Sequence, residues 1–151
     1  GPQVFGGYLA DAAATAAAFH DGWFRTGDMG VREPDGHIRL VGRIKEIVIT
    51  GGFNVYPGEV EKALTSHPDI TQAAVVGIPR SDGSEDVAAC VVLGPGAQLD
   101  ESALRTHCRG LLARYKVPQR FFAMDKLAGD QLGKLRRRDV RRDLLARLHR
   151  D

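Results

Sequence analysis

Apolar and polar residues alternate with different periods along this chain, and each change of period marks an element. Ile47, Val48 and Ile49 form a β-branched run long enough for one buried strand, and Gly51-Gly52 stops it. Pro57 then has the fixed φ suited to a first helical position, and Glu59 and Glu61 put negative charge where the helix dipole is positive. With Val60, Ala63 and Leu64 on one face, the spacing predicts a helix over 57–66. Apolar strands are expected over 70–77 and 87–93, joined by a polar connection. Asp100 offers an N-cap to an amphipathic helix over 101–114, where Leu104, Cys108, Leu111 and Leu112 recur at helical spacing. Phe121 and Phe122 give a last strand. Val140, Leu144 and Leu148, four residues apart and flanked by arginines, predict a terminal helix lying on the domain surface. The order is β-α-β-β-α-β plus a terminal helix, an α+β layer of helices against a small sheet.

Upstream the pattern is weaker. Residues 12–18 have helix propensity but too few large apolar groups for a core of their own, so that segment is expected to pack on something outside this sequence. Residues 23–26 and 38–41 read as the two strands of a β-hairpin around Glu33-Pro34-Asp35-Gly36, whose proline and glycine suit a turn. Asp28, in Thr26-Gly27-Asp28, has two readings: it caps a turn, or its carboxylate accepts hydrogen bonds from two neighbouring hydroxyls at once. Arg43 and Lys45 follow the second strand and by composition are solvated cations on a connector.

Composition bounds the picture further. At 151 residues and 43% apolar, the chain holds the core of one ordinary soluble domain with a small second unit. No apolar run approaches the roughly 20 residues of a spanning helix, and the first residues lack the basic and apolar regions of a signal peptide. Cys90 and Cys108 fall in apolar settings, which reads as two buried thiols in a reducing compartment, the cytoplasm, rather than metal ligands or nucleophiles. The net charge of +2 is unevenly placed: residues 134–151 carry 8 basic and 3 acidic groups, the rest 13 and 16. That basic tail lacks an aromatic stacking platform, so nucleic acid is not an expected partner.

Three stretches, GWFRTGD at 22–28, GRIKEIVITGGFNVYPGEVE at 42–61 and LGK at 132–134, together resemble the C-terminal part of the AMP-forming acyl-CoA synthetases, the adenylate-forming enzymes. The resemblance covers nearly the whole chain. It implies that residues 1–43 are the end of a large N-terminal AMP-binding domain and 44–151 a mobile C-terminal domain, so the sequence is expected to be a fragment, inactive alone, whose partners include the missing N-terminal domain. It further implies that Asp28 binds the ATP ribose, that Arg43 contacts the nucleotide and that Lys45 is the hinge about which the C-terminal domain swings. Lys134 would serve adenylation, and Gly51 and Gly52 would border the coenzyme A pantetheine tunnel. The co-substrates are then a small-molecule carboxylate, ATP with Mg2+, and coenzyme A, with no metal bound by this fragment.

Physical chemistry bears on each of these roles. Joining a carboxylate to ATP builds charge around the α-phosphate, and a lysine on a flexible stem stabilises it without transferring a proton. The bland alternative makes Lys134 one more cation of a basic helix. At Gly51-Gly52 a turn requiring positive φ explains the residues as well as a ligand lying on bare backbone does. The basic tail, Arg137 and Arg141 included, is a further candidate for attracting the coenzyme's phosphates. Two features depart from the family pattern. Residues 127–134 read Leu-Ala-Gly-Asp-Gln-Leu-Gly-Lys where many members have Leu-Pro-x-Thr-x-Thr-Gly-Lys, and Gly83-Ser84-Glu85-Asp86 stands where tryptophan-glycine-glutamate is frequent. No role is carried over at those positions beyond the glycine-lysine pair. The rival readings are an enzyme delivering its adenylate to a carrier protein and a non-catalytic interaction module. The acyl substrate has no signature in these residues.

Overall fold

The structure is a computed structural model describing residues 1–129 and 134–150. The chain divides into two units, Gly1–Ile44 and Lys45–Asp151. In the first, the Asp11 carboxylate caps helix α1 (Ala12–Ala18) by accepting from the Ala14 N–H at 2.8 Å. Strands β1 (Phe19–His20) and β2 (Trp23–Phe24) pair antiparallel, and the rings of Phe5, Phe19 and Phe24 gather with centroids 5.3 to 5.9 Å apart.

The hairpin of this unit is built from β3 (Asp28–Arg32) and β4 (Ile38–Arg43), not from 23–26 as expected. Its tip explains the shift. The Glu33 N–H donates to the His37 carbonyl at 2.8 Å and the Gly36 N–H to the Glu33 carbonyl at 2.9 Å. A turn that tight pairs Ile38 with Arg32, so the segment immediately before Glu33 is the only one in register. Residues 23–24 pair with β1 instead. No residue of this unit is buried; Leu9 is 99% and Trp23 80% exposed.

A 3₁₀ turn, Ile44–Glu46, straddles the boundary between the units, and the second unit then forms a short hairpin of β5 (Val48–Thr50) and β6 (Phe53–Val55). β6 is an addition to the expected order, three residues being too few to show a period. Helix α2 (Pro57–Thr65) starts on its proline and buries Pro57, Val60, Ala63 and Leu64. Strands β7 (Ile70–Pro79) and β8 (Glu85–Leu93) run antiparallel. Helix α3 (Glu101–Leu111), capped by Asp100, buries Leu104 and Cys108 and ends three residues earlier than its apolar spacing implied, so Leu111 is exposed. A second 3₁₀ turn, Arg114–Lys116, leads to β9 (Arg120–Ala123), which lies parallel to β8 and completes a sheet of order β7-β8-β9. Helix α4 (Arg137–Leu148) follows.

This sheet is covered on both faces, which is why its strands read as continuous apolar runs. On one face Val75, Val87, Val91 and Phe121 meet Val48, Val55, Val60, Leu64, Leu104 and Cys108. On the other, Ala74, Val76, Ile78, Ala88 and Cys90 meet Val140 and Leu144 of α4. The terminal helix is therefore a core layer rather than a surface attachment: Val140 is 1% and Leu144 0% exposed. Burying each such side chain contributes about 1.5–3 kcal/mol.

Candidate active site

Asp28 opens β3 and Arg43 ends β4, and the two are direct partners in register. Their side chains meet, with Arg43 Nε 3.1 Å from Asp28 Oδ1. The Asp28 carboxylate therefore faces a guanidinium. The turn before it is closed by Thr26, whose Oγ1 accepts from the Asp28 N–H at 3.0 Å. With Asp28 26% and Arg43 60% exposed, an ion pair of this kind contributes only about 0–1 kcal/mol. Chemically, the arrangement sets an acceptor with several open lone pairs beside a planar set of donors, suited to hydroxyls on one side and an anion on the other. Lys45 is exposed in the 3₁₀ turn Ile44–Glu46, as the first residue of the second unit.

Gly51 and Gly52 form the two-residue turn between Thr50 and Phe53, with φ of 53° and 79°. Positive φ at both central positions suits a tight hairpin and is strained for any residue with a Cβ. Among the described residues, a Cβ at either glycine would meet nothing within 4 Å beyond its chain neighbours, so the positive φ of the turn, not packing, calls for glycine there. The hairpin under the turn is well anchored. Val48 and Val55 are buried, the Phe53 ring stacks on Tyr115 at 4.6 Å, and the Ile49 N–H donates to Glu85 Oε2 at 3.3 Å.

Lys134 is exposed and stands three residues before α4. Gly133, the other half of the glycine-lysine pair, lies with 130–132 outside the described residues. The ends of the segment are held together: Gly129 bridges Leu135, and the Arg136 N–H donates to the Ala128 carbonyl at 3.0 Å. Leu127, Ala128 and Leu135 pack against the α4 side of the core. Lys134 thus stands immediately before a pinned base at Leu135 and Arg136.

Two of the arginines that follow, Arg137 and Arg141, are half-buried, while Arg136, Arg138 and Arg142 are exposed. Arg137 donates through Nε and Nη2 to the two oxygens of Glu61 and through Nη1 to Glu46 Oε2 at 2.7 Å. Hydrogen bonding to Glu61 raises the Arg137 pKa against the opposing effect of burial, so the guanidinium stays charged. Arg141 donates to the Gly77 carbonyl and to Glu85 Oε1, both at 2.8 Å. Both side chains are held by acceptors within their own unit. Sequence reasoning passed over Glu46 and Glu61 as partners because they lie 91 and 76 positions from Arg137, beyond any local period.

Among the described residues no group of three or more metal-ligating side chains gathers, and no helix is long and apolar enough to cross a membrane. Residues 59–134, just over half of the chain and ending on Lys134, match the model of the AMP-binding enzyme C-terminal domain, and the chain belongs to that family. The 2-succinylbenzoate–CoA ligase of Geobacillus kaustophilus is 44% identical over 142 residues, which are 94% of this chain and 29% of that protein. Among solved structures, ATP-bound MatB from Rhodopseudomonas palustris matches with a TM-score of 0.88 and 38% identity, over 95% of this chain and 29% of its own. The amide bond synthetase McbA from Marinactinospora thermotolerans matches with a TM-score of 0.85 and 39% identity, over the same shares. The chain spans less than a third of the length of the curated relatives it matches.

Proposed function

We propose that this chain is the C-terminal part of an ATP-dependent, AMP-forming acyl-CoA synthetase, an acid-thiol ligase. The observation that carries this is the likeness to a CoA ligase over 94% of the chain, reaching from the Asp28–Arg43 pair through Lys134. On this reading residues 1–43 end the large AMP-binding domain and 44–151 are the mobile domain, hinged at Lys45. The free, buried Cys90 and Cys108 fit a reducing cytoplasm.

The reaction has two halves. In the first, a carboxylate oxygen attacks the α-phosphorus of ATP, supplied with Mg2+, and pyrophosphate leaves to give an acyl adenylate. Asp28 accepts from the ribose hydroxyls, Arg43 donates to the nucleotide, and the Lys134 ammonium stabilises the charge gathering around the α-phosphate. In the second, the coenzyme A thiol gives up its proton to solvent, its sulfur attacks the acyl carbon, and AMP leaves. Gly51 and Gly52 border the path of the pantetheine arm, where the open space beside their backbone admits a ligand.

The acceptor is the point on which a second reading differs. McbA, named an amide bond synthetase, shares this fold at 39% identity, so transfer to an amine, or to a carrier protein's pantetheine thiol, is the alternative to coenzyme A. The deciding experiment offers the full-length protein containing this chain ATP and a panel of short, medium, long-chain and aromatic carboxylates, fatty acids included. Pyrophosphate release and coenzyme A thiol loss are followed together. Both signals with one acid are expected, and that acid names the substrate class. Pyrophosphate release without thiol loss would move the acceptor away from coenzyme A, and silence across the panel would favour a non-catalytic module.

A further inference from the structure

The segment carrying Lys134 runs straight into Arg137, and Arg137 reaches two places far away in sequence. Two of its nitrogens meet the two oxygens of Glu61 on α2, where Glu61 Oε1 also accepts from the Val75 N–H of the sheet at 2.9 Å. Its remaining terminal nitrogen donates to Glu46 at 2.7 Å, in the turn Ile44–Glu46 that contains Lys45. A two-point guanidinium–carboxylate contact fixes orientation as well as distance, unlike the single contact of an ammonium. The side chain is half-buried, so solvent weakens these bonds less than it weakens pairs at the rim.

We infer that Arg137 is a positioning residue: it fixes the base of the Lys134 segment to the turn at Lys45, so that a swing about that turn delivers the lysine in one orientation. The inference rests on reading Lys134 as the adenylation lysine and Lys45 as the hinge. The physical need is plain. A cation that acts on developing charge loses most of its effect when it is misplaced by about 1 Å, on the order of a hundredfold in rate. The contacts Gly129–Leu135 and Ala128–Arg136 hold the two ends of the segment to each other, but both lie within it. Arg137 ties it to the part of the chain about which the unit would turn.

The test uses the full-length protein with Arg137→Gln, Arg137→Lys, Glu46→Gln and Lys134→Ala, and the double variant Arg137→Gln/Lys134→Ala. Single-turnover pyrophosphate release reports adenylation, and thioester formation from supplied acyl adenylate reports the second half. Arg137→Gln is expected to slow adenylation between about tenfold and a hundredfold with little change in the second half, and Arg137→Lys to fall between it and the wild type. Added to Lys134→Ala, it should cost nothing more, because the residue acts through that lysine. Multiplying losses in the double variant, or equal loss of both halves, would overturn the inference and leave Arg137 a stabilising contact only. Should Arg137→Gln not fold, Glu46→Gln keeps the Glu61 contact and decides the matter: selective loss of adenylation supports the coupling, and wild-type rates in both halves refute it. Lys134→Ala alone judges the underlying reading, since unimpaired adenylation there removes the lysine's role whatever Arg137 does.

Discussion

Cys90 sits between β7 and β9 in the middle of the sheet, and burial pushes its thiol up to about 11 from 9.0. The sign of the linkage follows. A group that holds its proton more tightly when folded stabilises the fold below its unfolded pKa, and that contribution is lost as the pH rises through the folded one. Stability should therefore fall between pH 9 and 11, by up to about 1.4 kcal/mol per unit, as judged by urea unfolding. Lys116, its pKa raised by Glu59, adds a loss of the same sign. Burial raises the Cys108 thiol as well, so the Cys90→Ala variant removes only the Cys90 share; an unchanged slope would count against that buried thiol. At this scale the sequence was a good guide where one residue's role is local. Cys90 and Cys108 were read as buried from their apolar neighbours, and both are. Asp28 and Arg43 were singled out separately by motif, but that they face each other across a hairpin depended on a register that neither residue encodes.

At the scale of elements, the order of strands and helices from 57 onward is legible because two covered faces leave an unbroken apolar signature in β7 and β8. The role of α4 is not. Three apolar positions in an arginine-rich helix look thin, yet Leu145 joins them, and Leu127, Ala128 and Leu135 help close the same face. The upstream hairpin was misplaced for a different reason: propensity locates extended segments, whereas the turn at Glu33–His37 chooses which of them pair. The β5–β6 hairpin carries its own expectation. Gly52→Ala puts a Cβ at φ 79° and should destabilise the fold by about 1–2 kcal/mol. That Cβ meets nothing within 4 Å among the described residues, so the strain of the turn is the effect expected on the fold. On the proposed function, thioester formation from supplied acyl adenylate falls while pyrophosphate release holds; equal retention of both would assign the glycines to the turn alone.

Taken whole, the molecule contains one unit with a two-faced core and one with no buried residue at all. The C-terminal unit has its core within its own residues. The N-terminal unit keeps Leu9, Trp23, Ile38 and Leu40 exposed, which on the proposed reading the rest of the AMP-binding domain covers. The curated relatives are more than three times longer than the matched region, and on the proposed reading the carboxylate pocket and phosphate-binding loop belong to that remainder. The 151-residue chain alone should accordingly show no ATP–pyrophosphate exchange, and measurable exchange would refute the division of parts. The position of α4 in the chain has another consequence. It follows every strand it covers, so as the polypeptide emerges from the ribosome the sheet can assemble against α2 and α3 while its opposite face is still wet. That face, with Val76, Ile78 and Cys90, is sealed only when α4 arrives, and until then the nascent domain offers a chaperone an adhesive surface.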